Sequence, residues 1–519
     1  MNRDSAIQKI AKGDLKYDVV VIGGGASGLG AALEAASRGY KTLLLEKYDF
    51  AKGTSSRSTK LVHGGVRYLA QGNVSLVLEA LRERGRLKRN APHLVRDQGF
   101  IIPCYSWWCV PFYTIGLTLY DLMAGKLGIG RSIPLSKKRC MRELPHIKQK
   151  KLRGGVRYFD GQFDDARLAV NLAQTIVEQG GVVVNYMELT NLVKKDGKIA
   201  GVVARDVLGG ESYEIRARTV INATGVFVDD ILKMDEPEGR DIVKPSQGIH
   251  LVVDRKYLGG DQALMIPKTS DGRVLFAVPW HDHVVVGTTD VEKQQAEIEP
   301  HAEEVEINYI LETARLYFDP PFKRDDVLAV YTGLRPLAAP ASEGKKTKEI
   351  SRGHKIIVSA SGMVTITGGK WTTYRKMGED VVDKAVKTAG LQPAASLTER
   401  LRIHGYKEEV DLNDPHYWYG SDQAGIQELI LAEKALGETI SEKLQIQKAQ
   451  IIWAIREEMA MTLEDCLGRR IRSLQLDVEE ALRIAPEVAH LMAVELGRDE
   501  AWEKQQLEDF SKVAKLNTL

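Results

Sequence analysis

The chain has little cysteine for its length, four residues in 519, and no pair has Cys-x-x-Cys spacing. They are Cys104, Cys109, Cys140 and Cys466. Such sparse cysteine predicts reduced, mostly buried thiols of a cytosolic protein and argues against a metal site. A net charge of only +2 gives no bulk attraction to nucleic acid, so we expect no nucleic-acid partner. Any preference for an anion must come from a local cluster of basic residues.

Long apolar runs are also missing. No stretch of about 20 residues is free of charged and polar breaks, which argues against a membrane-spanning helix. Residues 1–16 are polar and lack the apolar core of a secretory signal. The nearest apolar stretch is 105–124, whose aromatic residues, such as Trp107 and Trp108, would suit a membrane interface. Between the two interpretations we favour a buried helix of a cap domain.

A glycine-rich turn near the start of the chain organises the rest. An apolar run leads into Gly23, Gly25 and Gly28, which have the Gly-x-Gly-x-x-Gly spacing of a dinucleotide fold. An alanine-rich helix follows, and its N-terminus can bind a pyrophosphate through free N–H groups. A second strand ends in Glu46, whose carboxylate would accept hydrogen bonds from a ribose and repel a 2′-phosphate. The pattern predicts a dinucleotide other than NADP and leaves NAD and FAD open.

Further segments have the composition of cofactor-binding backbone. Residues 53–68 are dense in glycines and small hydroxyl residues, which suits backbone wrapped around a cofactor. A buried strand over 219–222 ends in small residues at 223–225, so its backbone can pass close to a nucleotide. Similar strands recur at 355–359 and 364–367. We therefore expect a discontinuous nucleotide domain.

Strand-rich insertions separate these segments, and helical patterns follow residue 396. Strands at 247–254, 263–267, 273–280 and 283–290 suggest an antiparallel sheet. The sequence thus predicts an α/β fold with a discontinuous Rossmann-like domain, an antiparallel-sheet substrate domain and a C-terminal helical domain. Their predicted ranges are 17–75, 155–235 and 353–395 for the nucleotide domain, 76–154 and 236–352 for the substrate or cap domain, and 396–519 for the helical domain. In the last of these, Pro486 predicts the first turn of a helix.

Four basic residues lie beside glycines or at the edges of strands that build the nucleotide domain. They are Arg67, Arg335, Arg352 and Lys370. Each alone is more typical of a surface charge, but several cations in one cleft indicate a dianionic substrate such as a phosphate monoester. The pair Gly368-Gly369 before Lys370 also offers a helix N-terminus that can stabilise negative charge in a reduced flavin ring.

Several motifs are similar to those of FAD-dependent glycerol-3-phosphate dehydrogenases, and the resemblance covers nearly the whole chain. It rests on 20–28, 53–56, 60–69, 222–225, 333–337, 367–375 and 456–465. Among these, His-Gly-Gly-Val-Arg-Tyr at 63–68 and Gly-Gly-Lys-Trp-Thr-Thr-Tyr at 368–374 are highly specific. The resemblance implies FAD as the cofactor and sn-glycerol 3-phosphate as the substrate.

The resemblance also implies residue roles. Substrate binding falls to Arg67, Tyr68, Arg335, Arg352 and Lys370. The expected catalytic residues are His63, Arg335 and Lys370, and the resemblance places His63 near the flavin. The ordinary pKa of histidine makes His63 the candidate base for the C2 hydroxyl proton. Two alternatives stay open, a structural role for His63 and an arginine near the flavin that stabilises the developing alkoxide. Residues expected to bind the cofactor are Gly23, Gly25, Ala26, Ser27, Gly28, Glu46, Thr54, Ser55, Ser56, Lys60, Leu61, His63, Gly64, Gly65, Ala223, Thr224, Gly225, Gly368, Gly369, Lys370, Trp371 and Thr372.

The implied reaction is hydride transfer from C2 of the substrate to FAD, followed by reoxidation by a quinone, or by oxygen in some members. A quinone lies in the membrane, so we expect peripheral association with the inner face of the cell membrane. The membrane contact is left open among a basic stretch at 82–89, with outward arginines such as Arg84, the stretch at 105–124 and the helical tail. The resemblance also allows a homodimer.

Three alternatives remain at this point. A flavin oxidase of the same fold could use oxygen, or could act on an amine or a 2-hydroxy acid. A nicotinamide-dependent dehydrogenase would be colourless. A flavin-binding membrane adaptor without activity would bind FAD but would not be bleached by a substrate.

Overall fold

The computed structural model of the protein describes residues 1–13, 16–66, 73–269, 272–338 and 353–519. Three residues of the predicted substrate site, Arg67, Tyr68 and Arg352, lie outside these described residues. Their roles stay predictions.

The described residues form an α/β structure with two large sheets. The strands, in chain order, are β1 (Tyr17–Ile22), β2 (Thr42–Leu45), β3 (Leu61–Val62), β4 (Val95–Cys104), β5 (Ile133–Ser136), β6 (Gly154–Phe163), β7 (Val182–Val184), β8 (Met187–Lys195), β9 (Lys198–Asp206), β10 (Ser212–Asn222), β11 (Val243–Asp254), β12 (Ala263–Ile266), β13 (Leu275–Trp280), β14 (His283–Gly287), β15 (Val291–Glu292), β16 (Val327–Ala338), β17 (His354–Val358), β18 (Val364–Gly368), β19 (Thr439–Ser441) and β20 (Ile446–Gln447). The helices are α1 (Arg3–Ala11), α2 (Ala26–Ser37), α3 (Val74–Asn90), α4 (Cys109–Ala124), α5 (Lys137–Glu143), α6 (Asp165–Glu178), α7 (Val228–Asp235), α8 (Glu304–Tyr317), α9 (Tyr374–Thr388), α10 (Gln423–Ala432), α11 (Lys448–Arg456), α12 (Ser473–Leu476), α13 (Val478–Leu496) and α14 (Glu500–Leu516).

The first sheet carries the glycine turn. Its strand order is β17-β18-β10-β1-β2-β7, and the hairpin β8–β9 joins it through β10. Strand β1 runs parallel to both neighbours, with Val20 opposite Leu43 on one side and Val220 on the other. All three side chains are fully buried, as expected for a parallel sheet covered on both faces. These strands come from three separate stretches of the chain, as predicted for the Rossmann-like fold.

Helices α2 and α9 cross closely over this sheet because both have a glycine at the crossing. A Cβ atom on Gly30 would lie 2.6 Å from the main-chain oxygen of Tyr374. A Cβ atom on Gly378 would lie 2.4 Å from the main-chain oxygen of Gly30. Larger residues would separate the helices. The crossing therefore fixes the start of α9, and with it residues 368–373, beside the glycine turn.

The second sheet has the order β15-β11-β14-β13-β12-β4-β6-β3, with β16 paired to β11 and β5 paired to β6. The four predicted strands appear as β11 to β14, and their pairing with each other is antiparallel as predicted. Strands β3 and β6 also pair in this sheet, although the predicted nucleotide domain includes β3 and most of β6. The domain boundaries themselves stay predictions.

The helical C-terminal region packs against the second sheet. Apolar residues of α11 and α13 share one core with Val252, Trp280 and Tyr331. The expectation that Pro486 lies in the first turn of its helix is wrong, because α13 begins at Val478. Asp477 caps that helix and accepts a hydrogen bond from the main-chain nitrogen of Glu480. Pro486 lies inside the helix.

Helix α4 corrects the interpretation of 105–124 as buried. Leu117, Tyr120 and Ala124 on its inner face are buried. Its outer face exposes a continuous apolar stripe, which we call the α4 stripe. It consists of Trp107 and Trp108, which directly precede the helix, and of Phe112, Ile115, Leu119 and Leu122, each between 52 and 83% exposed. None of the described helices is long and apolar enough to cross a bilayer.

The cysteines only partly follow the prediction. Cys104, at the end of β4, forms a disulfide with Cys109, at the start of α4. The chain reverses there and brings the two Cα atoms to 5.4 Å, so the expectation of reduced thiols is wrong for this pair. Cys140 and Cys466 are free and buried, as expected.

Candidate active site

A cavity of about 640 Å³ lies between the two sheets, at the carboxyl ends of β1, β2 and β10. We call it the main cavity. Most of the residues predicted to bind cofactor or substrate line it, namely Gly23, Gly25, Ala26, Ser27, Glu46, Thr54, Ser55, Leu61, His63, Gly65, Ala223, Thr224, Gly225, Arg335, Gly368, Gly369, Lys370, Trp371 and Thr372. Its size and its glycine-lined edge suit a dinucleotide.

The glycine turn has the geometry that a bound pyrophosphate requires. Gly23 has φ of +107°, and a Cβ atom there would lie 2.7 Å from the main-chain oxygen of Ala223. A Cβ atom on Gly28 would lie 1.8 Å from the main-chain oxygen of Gly23. Gly25 precedes α2 directly, so the N-terminus of that helix opens on the cavity. The residues present therefore fit FAD at this edge.

Glu46, the predicted ribose ligand, lines the main cavity at the end of β2. One carboxylate oxygen accepts a hydrogen bond from the main-chain nitrogen of Gly24 at 2.6 Å, and the other accepts one from Tyr48 at 2.8 Å. Burial raises the pKa of Glu46 above its ordinary value, and the two N–H donors oppose this rise. These donors fix the carboxyl group at the end of β2, facing the cavity.

A short turn over Trp371–Thr373 connects two cofactor segments that are distant in sequence. The indole nitrogen of Trp371 donates a hydrogen bond to the main-chain oxygen of Ser55 at 2.8 Å. The hydroxyl oxygen of Thr372 accepts one from the main-chain nitrogen of His63 at 3.1 Å. His63 is half-buried and lines the cavity. His63 and Lys370 therefore border the same space, as the sequence predicts.

Arg335 enters the cavity from β16 in the second sheet. Its guanidinium donates to the main-chain oxygen of Gln247 at 3.3 Å and to the hydroxyl of Thr288 at 3.0 Å, and it lies 3.9 Å from Asp290. The side chain is 23% exposed, so it remains accessible to a ligand. A Cβ atom on Gly248 would lie 2.3 Å from this guanidinium. The glycine therefore leaves the space that the arginine occupies.

Four predicted cofactor residues do not line the main cavity. They are Gly28, Ser56, Lys60 and Gly64. Gly28 and Gly64 act by allowing close packing, since a Cβ atom on Gly64 would lie 2.4 Å from the hydroxyl oxygen of Tyr120. Lys60 is fully buried, 2.8 Å from Asp165, and burial lowers its pKa to about 7. Lys60 thus forms a buried ion pair, and its role in binding the cofactor stays a prediction.

Sequence reasoning missed several cavity residues of the second sheet, among them Asp160, His250 and Arg273. His250 stacks on Tyr331 at 4.8 Å, and its Nε2 lies 2.9 Å from the hydroxyl of Thr59. Burial, with Arg335 nearby, lowers the pKa of His250 well below its ordinary value, so its imidazole is neutral. The residues next to Asp160, His250 and Arg273 in the sequence form no motif that would mark these three as site residues.

Part of the lining of the main cavity is apolar, and we call it the apolar wall. It includes Val66, Phe100, Tyr158, Met265 and Phe276. These residues share a hydrophobic cluster with Leu117 of α4. The apolar wall of the main cavity therefore packs in the same cluster as the helix that carries the exposed α4 stripe.

Comparison with known proteins identifies the class. The family described as FAD dependent oxidoreductase matches residues 18–375, and the C-terminal domain of alpha-glycerophosphate oxidase matches 366–503. The human mitochondrial glycerol-3-phosphate dehydrogenase is 39% identical over 96% of this chain and 73% of its own length. The corresponding enzyme of Arabidopsis thaliana is 37% identical over 95% of this chain and 85% of its own length.

A solved structure agrees with these relatives. The glycerol-3-phosphate dehydrogenase of Bacillus halodurans, complexed with FAD, is 28% identical and superposes with a TM-score of 0.81, covering 99% of this chain and 97% of that one. The fold and the cavity thus define an FAD-dependent oxidoreductase, and the predicted fold and cofactor are confirmed. Within that class, the chain belongs to the family of FAD-dependent glycerol-3-phosphate dehydrogenases.

Proposed function

We propose that the enzyme oxidises sn-glycerol 3-phosphate to dihydroxyacetone phosphate and passes the electrons to a membrane quinone, in glycerol and glycerophospholipid catabolism. The observation that carries the substrate assignment is the pair of cations, Arg335 and Lys370, on the wall of a cavity that suits FAD. The names of the relatives support the same substrate.

Each residue of the site has a proposed role in the oxidation. FAD, when bound, supplies the acceptor for the hydride from C2. Arg335 and Lys370 hold the phosphate dianion and orient C2 over the ring. His63 accepts the proton of the C2 hydroxyl while the carbonyl forms. Arg67, Tyr68 and Arg352 are proposed to complete the phosphate site.

We further propose that the α4 stripe is the membrane contact. The next segment, residues 131–153, contains nine basic residues and one acidic residue. The two features meet where the guanidinium of Arg153 lies over the ring of Trp107 at 4.6 Å. An apolar stripe beside a basic segment is the composition of a helix that lies in the interface of an anionic membrane.

The basic stretch at 82–89 is the weaker candidate. Arg84 is buried and paired with Asp160 at 2.7 Å, so its expected outward position is wrong. Arg86 pairs with Glu83, and Lys88 pairs with Asp97. Because acidic partners neutralise most of this stretch, it offers little attraction to anionic lipid.

Replacement of Leu119 by aspartate is expected to abolish binding to vesicles that contain anionic phospholipid, because the charge would have to enter the interface. The measurement is co-sedimentation with vesicles at low and high salt. The matched control is Leu431→Asp, since Leu431 is 81% exposed on α10. Equal loss in both variants, or unaltered binding by Leu119→Asp, would contradict the assignment.

The quinone assignment predicts a preference of acceptor. Turnover of glycerol 3-phosphate by the holoenzyme is expected to proceed with a short-chain quinone and to release little hydrogen peroxide in air. The apolar wall of the main cavity supports this outcome because its residues pack in one cluster with Leu117 of α4, the helix proposed to contact the membrane. Stoichiometric hydrogen peroxide without quinone reduction would instead favour an oxidase.

A further inference from the structure

A buried carboxylate joins the C-terminal domain to the FAD site. Asp49 follows Glu46 by three residues and is completely buried. It accepts hydrogen bonds from Arg469 Nε at 2.6 Å and from Arg470 Nη1 and Nη2 at 2.7 and 2.8 Å. Burial opposes ionisation, but the two arginines hold the pKa of Asp49 well below its usual range. Asp49 therefore forms a buried ion pair with Arg469 and Arg470, which lie in a distant part of the chain.

The turn that supplies the two arginines is built for this contact. Residues Asp465–Arg470 form a π-helical turn, a geometry often found at functional sites. Consecutive side chains of a regular α-helix point about 100° apart and rarely reach one carboxylate. Here Arg469 and Arg470 both reach Asp49. Arg469 also bonds to Glu464 and Asp465, at 2.6 and 2.7 Å, which fixes its guanidinium.

The loop that contains Asp49 forms the ribose edge of the main cavity. In this loop, residues 46–52, Ala51 has φ of +59° and donates a hydrogen bond to the main-chain oxygen of Gly24 at 3.0 Å. A left-handed conformation of a non-glycine residue persists only where surrounding contacts hold it. Lys52 provides a second anchor, 2.6 Å from Glu299 and hydrogen-bonded to Glu464. The loop is thus held by the glycine turn on one side and by Glu299, Glu464 and the two arginines on the other.

We propose that Arg469 and Arg470 are positioning residues for FAD. They hold Asp49, and through it the loop 46–52, in the conformation that receives the adenosine end of the cofactor. The C-terminal domain thereby raises the affinity for FAD without contacting it. This proposal rests on FAD as the cofactor and not on the identity of the substrate.

The test is a titration of apoprotein with FAD for Asp49→Asn and Arg469→Met, with hydrogen–deuterium exchange of residues 46–52. We expect the Kd for FAD to rise about ten-fold or more, as for loss of a hydrogen bond to a charged group. Exchange in the loop should accelerate. At saturating FAD, KM and kcat for glycerol 3-phosphate should return to the wild-type values, because the loop is remote from the reacting end of the cofactor.

His404→Ala is the matched control. His404 of the C-terminal region pairs with Glu178 of α6, so it joins the two regions without contacting Asp49, Arg469 or Arg470. It should lower the melting temperature and leave the Kd for FAD unchanged. Should Asp49→Asn fold poorly, Arg470→Lys serves instead, with a smaller rise in Kd expected.

An unchanged Kd and unchanged loop exchange in folded Asp49 or Arg470 variants would overturn the proposal. A rise in Kd equal to that of His404→Ala would also overturn it, because the effect would then reflect general loosening of the domains. Failure of glycerol 3-phosphate to reduce the wild-type flavin would count against the proposed function alone, since FAD affinity is measured without substrate.

Discussion

Replacement of Gly28 by alanine is expected to abolish FAD binding and, with it, all activity. The added Cβ would lie 1.8 Å from the main-chain oxygen of Gly23. Backbone cannot yield as a flexible side chain can, so α2 would have to move away from the glycine turn. The pyrophosphate would then lose the helix N-terminus that holds it. The measurement is the flavin content per chain of the purified variant, with its melting temperature.

Gly116→Ala is the control for this substitution. Gly116 lies in α4, and a Cβ atom there would meet no atom within 4 Å. Alanine at that position should retain full flavin and be slightly more stable, because alanine favours helix. A Gly28→Ala protein that carries one FAD per chain would contradict the assignment of the glycine turn.

Replacement of Arg335 by alanine is expected to lower kcat/KM for glycerol 3-phosphate by a factor of roughly 30 to 5,000. This factor corresponds to a loss of about 2–5 kcal/mol of transition-state stabilisation. The guanidinium is held by Gln247 and Thr288 beside the cavity, so its position is set before the substrate binds. In the proposed complex, its removal would leave the phosphate dianion without the guanidinium that binds it. Arg335→Lys should recover part of the loss, because lysine keeps the charge but not the fork.

Two further variants test whether the position of the Arg335 guanidinium matters, and not only its charge. Gly248→Ala keeps Arg335 but displaces its guanidinium, since the new Cβ would lie 2.3 Å from it. It should raise KM without removing any charge. Arg324→Ala removes an exposed arginine that pairs with Glu304 and should leave kcat/KM unaltered. An unchanged kcat/KM in Arg335→Ala would remove Arg335 from the site.

The local parts of the site were predictable from the sequence. The glycine spacing, the apolar strand before it and the acid at the end of β2 are short-range patterns with one physical meaning each. Gly23 must have a positive φ, and Glu46 follows its strand directly. Such features depend on neighbours in the chain, so one sequence is enough to place them.

The parts that failed depend on contacts between distant residues. Arg84 is buried because Asp160, 76 residues later, lies opposite it. His250 enters the cavity through the register between β11 and its neighbours, which no short motif encodes. An apolar stripe has the same pattern whether it meets protein or lipid, so the sequence alone could not show that Phe112 is exposed.

Anaerobic mixing of the yellow holoenzyme with substrate tests whether the enzyme oxidises glycerol 3-phosphate through its flavin. Glycerol 3-phosphate is expected to bleach the whole flavin absorbance and to yield one dihydroxyacetone phosphate per chain. Glycerol, amino acids and 2-hydroxy acids should leave the flavin oxidised, because they lack the phosphate that Arg335 and Lys370 are proposed to hold. A flavin that glycerol 3-phosphate cannot bleach, while dithionite can, would contradict the account.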